Sequence, residues 1–327
     1  MSNPPLITIF GGSGFVGRYI TQRMAQAGWR VRVAVRRPNE EMHVLPYGEV
    51  GQVALVQANV RDTASTRAAI EGADVVVNCV GIIAEDSHQK FNAVNCGAAA
   101  RIARLSAEAG VGKLVHISAL AADAESESEY ARSKAMGEAD VLKNFPSATI
   151  LRPSIVFGPE DQFFNMFGTM SRYFPVLPIV GADSKMQPVY VDDVAAAAEA
   201  AIMGDATGVY ELGGPDVETM RQLIARLLHV VRRKRFIVNI PFGMARINAF
   251  FIEIWHKFSL GIVPLALTRD QVKLLKFDNV VSEGAPGLEA LGVQPTSMEA
   301  VLDSYLYRFR PQGQYTDLTE SAKNLHG

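Results

Sequence analysis

Cysteine is nearly absent: Cys79 and Cys96 are the only two in 327 residues, and they do not stand at metal-ligand spacing. That excludes a disulfide scaffold and a thiolate metal centre, and makes a reducing compartment the simple expectation. A charge excess is also missing. With 32 Lys and Arg against 34 Asp and Glu, the net charge is −2, so nothing points to a nucleic acid partner. No membrane-crossing run is present either. The most apolar stretch, 241–267, is broken by Arg246, Glu253, His256, Lys257, Gly261 and Pro264, short of the roughly 18 uncharged residues a span needs. Only five residues precede the first apolar run, so no signal or transit peptide is expected. Internal repeats and low-complexity tracts are absent as well.

What is present begins at once. Leu6-Ile7-Thr8-Ile9 runs into Phe10-Gly11-Gly12-Ser13-Gly14-Phe15-Val16-Gly17, a strand, a glycine turn and a helix start. Gly11, Gly14 and Gly17 permit a tight turn, close approach to a pyrophosphate and close helix–strand packing, while Phe15 and Val16 open a helix whose free N–H groups suit an anion. Strand patterns follow at 30–35, 53–57, 74–80, 113–118 and 148–151, alternating with helical patterns at 15–27, 63–70, 91–109 and 130–143. Short strands rich in valine and isoleucine predict an α/β, doubly wound parallel sheet of the Rossmann type. Residues 1–153 form this core, 154–309 a smaller lobe interleaved with the end of the sheet, and 310–327 a polar tail.

The second strand ends in Val35-Arg36-Arg37-Pro38, where a carboxylate would mark NAD. Two guanidiniums there suit a 2′-phosphate, which points to NADP(H); the alternative is a solvated basic turn. After the third strand, Asn59 offers an acceptor to an adenine amino group, with Val60 beside it. Val80-Gly81 after the fourth strand lets backbone approach the cofactor.

Tyr130 and Lys134 lie one helical turn apart and share a face. A nearby ammonium is expected to lower the phenol's pKa enough for acid–base work. Ser118, at the end of the fifth strand, is placed to orient a substrate carbonyl.

This combination resembles the extended and atypical branches of the short-chain dehydrogenase/reductase superfamily. The resemblance makes Tyr130 the general acid/base, Lys134 its assistant and Ser118 the positioning group. It also puts Pro153 and Ile155, in Leu151-Arg152-Pro153-Ser154-Ile155, beside the nicotinamide. A narrower likeness lies in Phe157-Gly158-Pro159-Glu160-Asp161, Gln187-Pro188-Val189-Tyr190-Val191, Thr268-Arg269-Asp270-Gln271-Val272 and Pro286-Gly287-Leu288. These resemble the 39 kDa (alpha-subcomplex 9) family of nucleotide-binding accessory subunits of respiratory complex I. That likeness implies a structural NADPH, other complex I subunits as partners, vestigial Ser118, Tyr130 and Lys134, and a peripheral position near the quinone site. In a bacterium this is the cytoplasmic face of the inner membrane, equivalent to the mitochondrial matrix face. The other reading is a free-standing NADP-dependent oxidoreductase or epimerase using Tyr130 and Lys134.

Ile247, Phe250, Phe251, Ile254, Trp255 and Phe258 make one helical stripe. Either it covers the helix's own core, or residues 242–267 touch a membrane interface or a neighbouring subunit, with Arg232-Arg233-Lys234-Arg235 close to anionic headgroups.

Overall fold

The structure, a computed structural model, describes residues 4–86, 88–258 and 267–315, with the backbone alone over 251–258 and at 314. Seven strands form one sheet: β1 (Leu6–Phe10), β2 (Arg30–Val35), β3 (Val53–Gln57), β4 (Val75–Asn78), β5 (Lys113–Ile117), β6 (Thr149–Pro153) and β11 (Gly208–Leu212). Their spatial order is β11-β6-β5-β4-β1-β2-β3, every neighbouring pair parallel. The order reverses between β1 and β4, which opens a crevice at the carboxyl ends of the strands. Both faces are covered, so β4 is buried throughout and β1 is buried after Leu6.

Helices α1 (Phe15–Gln26) and α6 (Val191–Met203) pack on one face; α2 (Thr63–Ile70), α3 (Gly97–Glu108) and α4 (Glu129–Asn144) pack on the other. A second core gathers α5 (Phe163–Tyr173), α7 (Met220–Val230) and α10 (Met298–Leu306) around Phe164, Leu223 and Leu302. Burial of each such side chain contributes about 2–3 kcal/mol. The short pairs β7 (Val156–Phe157) with β10 (Val189–Tyr190), β9 (Lys185–Met186) with β12 (Glu218–Thr219), and β8 (Val176–Ile179) with β13 (Phe236–Asn239) complete the smaller lobe. A last cluster, Val180, Ala245, Ala249 and Val272, joins α8 (Phe242–Phe258) to α9 (Arg269–Leu274).

Several expectations change in detail. The helix expected from residue 91 opens with a π-helical turn, Asn92–Cys96, before α3. Here α4 comes so close that a Cβ on Gly137 would lie 2.3 Å from the Asn95 carbonyl oxygen. Strand β8 carries Pro178 and follows Pro175, residues that argue against a strand in a sequence reading. The polar tail is tied down at its start, where Arg310 is buried, ion-paired with Asp303 and bonded to the Val230 carbonyl; residues 316–327 lie outside the described residues.

Along α8 the alanines face inward. Ala245 and Ala249 are buried, whereas Met244, Ile247 and Phe250 are 56%, 59% and 43% exposed. The expected apolar stripe therefore starts on the outer side, with Arg269 stacked over the Phe250 ring. The side chains of Phe251, Ile254, Trp255 and Phe258, and residues 259–266, lie outside the described residues. Among those described, no helix is long and apolar enough to cross a membrane.

Candidate dinucleotide and catalytic site

The glycine turn fits only glycine. Gly11 has φ +73° and packs on Cys79 and Val80, and a Cβ on Gly17 would stand 2.1 Å from the Gly11 carbonyl oxygen. Gly14 caps α1 without a side-chain bond, so the first-turn N–H groups, those of Phe15 and Val16 included, face the crevice as donors with a positive dipole end. Arg18 bonds the Ser13 and Gly14 carbonyls and lies 3.6 Å from Glu160, to which Tyr19 also donates at 2.9 Å. These contacts tie the turn to the loop after β7. A dinucleotide's pyrophosphate fits this cradle.

At the far end, Arg36, Gln57, Ala58, Asn59 and Ser65 line a cleft of about 280 Å³. The two arginines diverge. Arg36 lines the cleft, while Arg37 turns to Glu40 at 3.1 Å. The Asn59 side-chain oxygen already accepts from the Arg61 N–H at 3.1 Å, and the Asn59 N–H donates to Ser65 Oγ at 2.9 Å. One amide lone pair remains for a ligand. Val60 packs against the core beneath, and Arg101 holds its carbonyl at 2.7 Å.

At the other end, Lys134 is buried and donates to the Ile117 carbonyl at 3.0 Å. Gly81 lies directly beside it, its Cβ position 3.6 Å from the Lys134 Nζ. Burial pulls Lys134 down to about 8, against the opposing pull of Glu138. The Tyr130 phenol moves the other way from the expectation. It is pushed up to about 12 by burial, with its ring edge-on to Phe91 at 6.0 Å between centroids. The expected lowering fails because Lys134 is itself desolvated and directed at Ile117. Pro153 ends β6 and accepts from the Leu120 N–H, and Ile155 accepts from Val189, so both stand at the rim as backbone anchors.

Ser118 does not face the crevice as a free donor. Its Oγ donates to Glu138 Oε1, a buried carboxylate that Arg152 grips with Nη2 at 2.6 Å and Nε at 3.0 Å. Arg152 reaches on to Glu211 at 3.4 Å, and Glu211 accepts from the Ser282 N–H at 2.8 Å. A hydroxyl has one proton. Here it is directed to a carboxylate.

Four positioning groups were invisible beforehand. Asn95 donates to Ser133 Oγ at 3.0 Å and exchanges two bonds with the Ile82 backbone, fixing the chain after Gly81. Glu138 and Arg152 form the pair just described. His116 lies fully buried, 3.0 Å from the Asn78 amide, and burial keeps it neutral. Only the polarity of Glu138 and Arg152 at otherwise apolar helix and strand positions hinted at a buried pair.

The C-terminal landmarks prove to be ties. Asp270 accepts from Ser128 Oγ at 2.7 Å and from the N–H groups of Glu129 and Tyr130 at 2.8 and 3.0 Å. Asp192 takes a bidentate bond from Arg23 of α1, and Asp193 accepts from Thr296 at 2.6 and 2.8 Å.

A parallel sheet with a dinucleotide cradle, and a Tyr-x-x-x-Lys helix beside it, defines a nicotinamide-dinucleotide-binding protein. The NAD dependent epimerase/dehydratase family matches over residues 7–213. The chain is 33% identical to NADH dehydrogenase [ubiquinone] 1 alpha subcomplex subunit 9, mitochondrial, of Arabidopsis thaliana, over 97% of this chain and 81% of that one. It is 34% identical to the Rattus norvegicus protein of the same name, over 93% and 80%. With a ceramide reductase of Caulobacter vibrioides the identity is 32% over 88% and 89%. The Thermus thermophilus UDP-glucose 4-epimerase, solved with NAD, superposes at a TM-score of 0.68 with 18% identity, covering 94% and 99%, which bears on the fold alone. The chain belongs to the NAD dependent epimerase/dehydratase family.

Proposed function

We propose that this chain is an NADPH-binding accessory subunit of NADH:ubiquinone oxidoreductase (complex I) that holds its cofactor as a structural element. It supports assembly and stability near the quinone site, from a peripheral position in which residues 242–267 meet the membrane interface or another subunit. The 33% identity over 97% of the chain favours the partner complex. The observation that carries the structural role of the cofactor is the Ser118–Glu138 bond. The cradle is complete, yet the hydroxyl that would polarise a substrate carbonyl spends its hydrogen bond on a carboxylate locked by Arg152.

Arg36, lining the far cleft with no carboxylate at the end of β2, favours NADPH over NADH. Gly11, Gly14, Gly17 and the α1 N-terminus take the pyrophosphate; Asn59 and Val60 take the adenine; Val80, Gly81, Pro153 and Ile155 border the nicotinamide, and Lys134 bonds its ribose. Bound NADPH stabilises the fold by linkage, by about 4 kcal/mol at a thousandfold excess over Kd.

A second reading rests on the ceramide reductase relative and the retained Tyr130 and Lys134. In it the cofactor supplies hydride to a carbonyl, and Tyr130 donates the proton to the oxygen. Native electrophoresis of mild-detergent membrane extracts, probed for this chain, separates the two. Co-migration with complex I, and release of a fluorescent reduced nicotinamide on denaturation, is expected. Recovery solely as a free protein beside intact complex I, with NADPH consumed on a carbonyl substrate, would establish the reductase instead.

A further inference from the structure

We infer that the outer face of the β8–β13 ribbon is a binding surface for an anionic lipid bilayer. Strands β8 and β13 pair in parallel, with Val176 opposite Phe236 and Pro178 opposite Val238. Side chains alternate along a strand, so Leu177 and Ile179 enter the second core. Phe174, Val176, Pro178, Phe236 and Val238 stand outward, with Phe236 76% exposed. Tyr173 is 71% exposed at the end of α5, just before this ribbon. A two-stranded ribbon with an apolar outer face is unusual in water, and soluble surfaces rarely gather such side chains into one patch.

The charged residues next to the ribbon in sequence are basic. From 219 to 252 the chain carries seven basic residues, of which Arg226 is paired with Glu218, and from 162 to 182 it carries Arg172 and no Asp or Glu. Among the described residues no carboxylate pairs with Arg172, Arg233, Lys234 or Arg235. Arg233 Nε donates to the Phe309 carbonyl and Arg235 Nε to the Ser171 carbonyl, at 2.7 and 2.8 Å. Arg235 Nη1 also donates to the Lys234 carbonyl at 2.9 Å, so backbone carbonyls, not carboxylates, hold these guanidiniums. Burial first, and then the nearby charges of Arg235 and Arg172, disfavour the charge on Arg233. Like charges held together without a protein counter-ion call for an external anion.

An aromatic and aliphatic centre rimmed by arginine and lysine matches a bilayer interface, where rings enter the headgroup layer and cations meet phosphates. An acidic protein surface would answer the cations but leave five apolar side chains without a partner. Strand β13 continues into α8, whose Met244 and Ile247 also face outward. The inference deepens the membrane-contact part of the function proposed above and needs no other part of it.

Vesicle co-flotation of the full chain tests it without any other subunit. Binding to phosphatidylglycerol-rich vesicles at low salt is expected, with loss in high salt and on phosphatidylcholine vesicles. The double variant Phe236→Ser/Val238→Ser should lose the binding. Arg172→Gln/Lys234→Gln should weaken it about thirtyfold, since each cation near an anionic surface is worth roughly 1 kcal/mol. NADPH titration of each variant, expected to match the parent, reports an intact fold. Equal binding to both vesicle types, no binding at low salt, or variants that fold and bind like the parent would each overturn the surface. Capture by a soluble polyanion without vesicle binding would assign it to an acidic protein instead. None of these failures alters co-migration with complex I, which tests the broader reading separately.

Discussion

Asp270 accepts a hydrogen bond from the Ser128 hydroxyl at 2.7 Å, and with it caps the helix that carries Tyr130 and Lys134. The same carboxylate takes the N–H groups of Glu129 and Tyr130. These are orphan donors at a positive helix end, where a negative charge is favourable. The landmark Thr268-Arg269-Asp270-Gln271-Val272 therefore acts on the site from 140 residues away. Its own helix is set by a capping box between Thr268 and Gln271.

Removing that cap should cost measurable stability. Asp270→Ala is expected to lower the unfolding free energy by about 1–2 kcal/mol and to weaken cofactor binding by loosening α4. Asp270→Asn, which keeps an acceptor, should lose less. Denaturant titration of both variants decides it; a midpoint for Asp270→Ala equal to that of the parent would mean Ser128 caps α4 unaided.

The two arginines after β2 should separate in a binding experiment. Arg36 lines the cleft, whereas Arg37 is engaged by Glu40. Arg36→Gln is expected to reduce NADPH affinity about ten- to a hundredfold, the worth of charge-assisted bonds to a phosphate, and to change NADH affinity little. Arg37→Gln should leave both close to the parent. Fluorescence titration with each nucleotide reads the difference, and equal losses for NADPH and NADH would refute a 2′-phosphate contact.

The first six strands were legible because each is a short apolar run closed by a glycine or a polar turn, a purely local signal. The same holds for α4, whose N-cap Ser128 and Tyr130–Lys134 pair lie within one segment. What stayed hidden depends on partners far apart in the chain. Ser118 commits its hydrogen bond to Glu138, and Arg152 reads as one strand residue among others until β6 is set beside α4. On α8, periodicity marks a stripe but not which side is buried, and the small Ala245 and Ala249 take the core side. The split between Arg36 and Arg37 is likewise a matter of side-chain direction, which a dipeptide does not encode.

The two sides of α8 should respond oppositely to substitution. Ala249 is fully buried against Val180 and Val272, so Ala249→Leu should overpack the cluster and cost about 1–3 kcal/mol. Ile247, more than half exposed, should tolerate Ile247→Ser within about 0.5 kcal/mol. Thermal unfolding of the isolated chain compares them. A larger loss from Ile247→Ser would place the stripe, not the alanines, against the core.

The buried ammonium gives a pH signature. Burial holds Lys134 at about 8 in the folded chain, below its ordinary 10.5. Below pH 8 both folded and unfolded forms are charged, and the folded form bears the desolvation cost in full. Between 8 and 10.5 the unfolded chain binds more protons, so this group's contribution to stability rises with pH. Tyr130 opposes that trend only above pH 10, where the unfolded phenol ionises first. Lys134→Met removes the titration. The methionine variant should therefore unfold at a higher temperature than the cofactor-free parent at pH 7, by a margin that narrows toward pH 10. A nucleotide that bonds the ammonium would raise its pKa and shrink the margin at pH 7 as well. Melting curves of both proteins across this range, with and without NADPH, test the assignment, and a margin that widens with pH would show that Lys134 is not held in its charged form against burial.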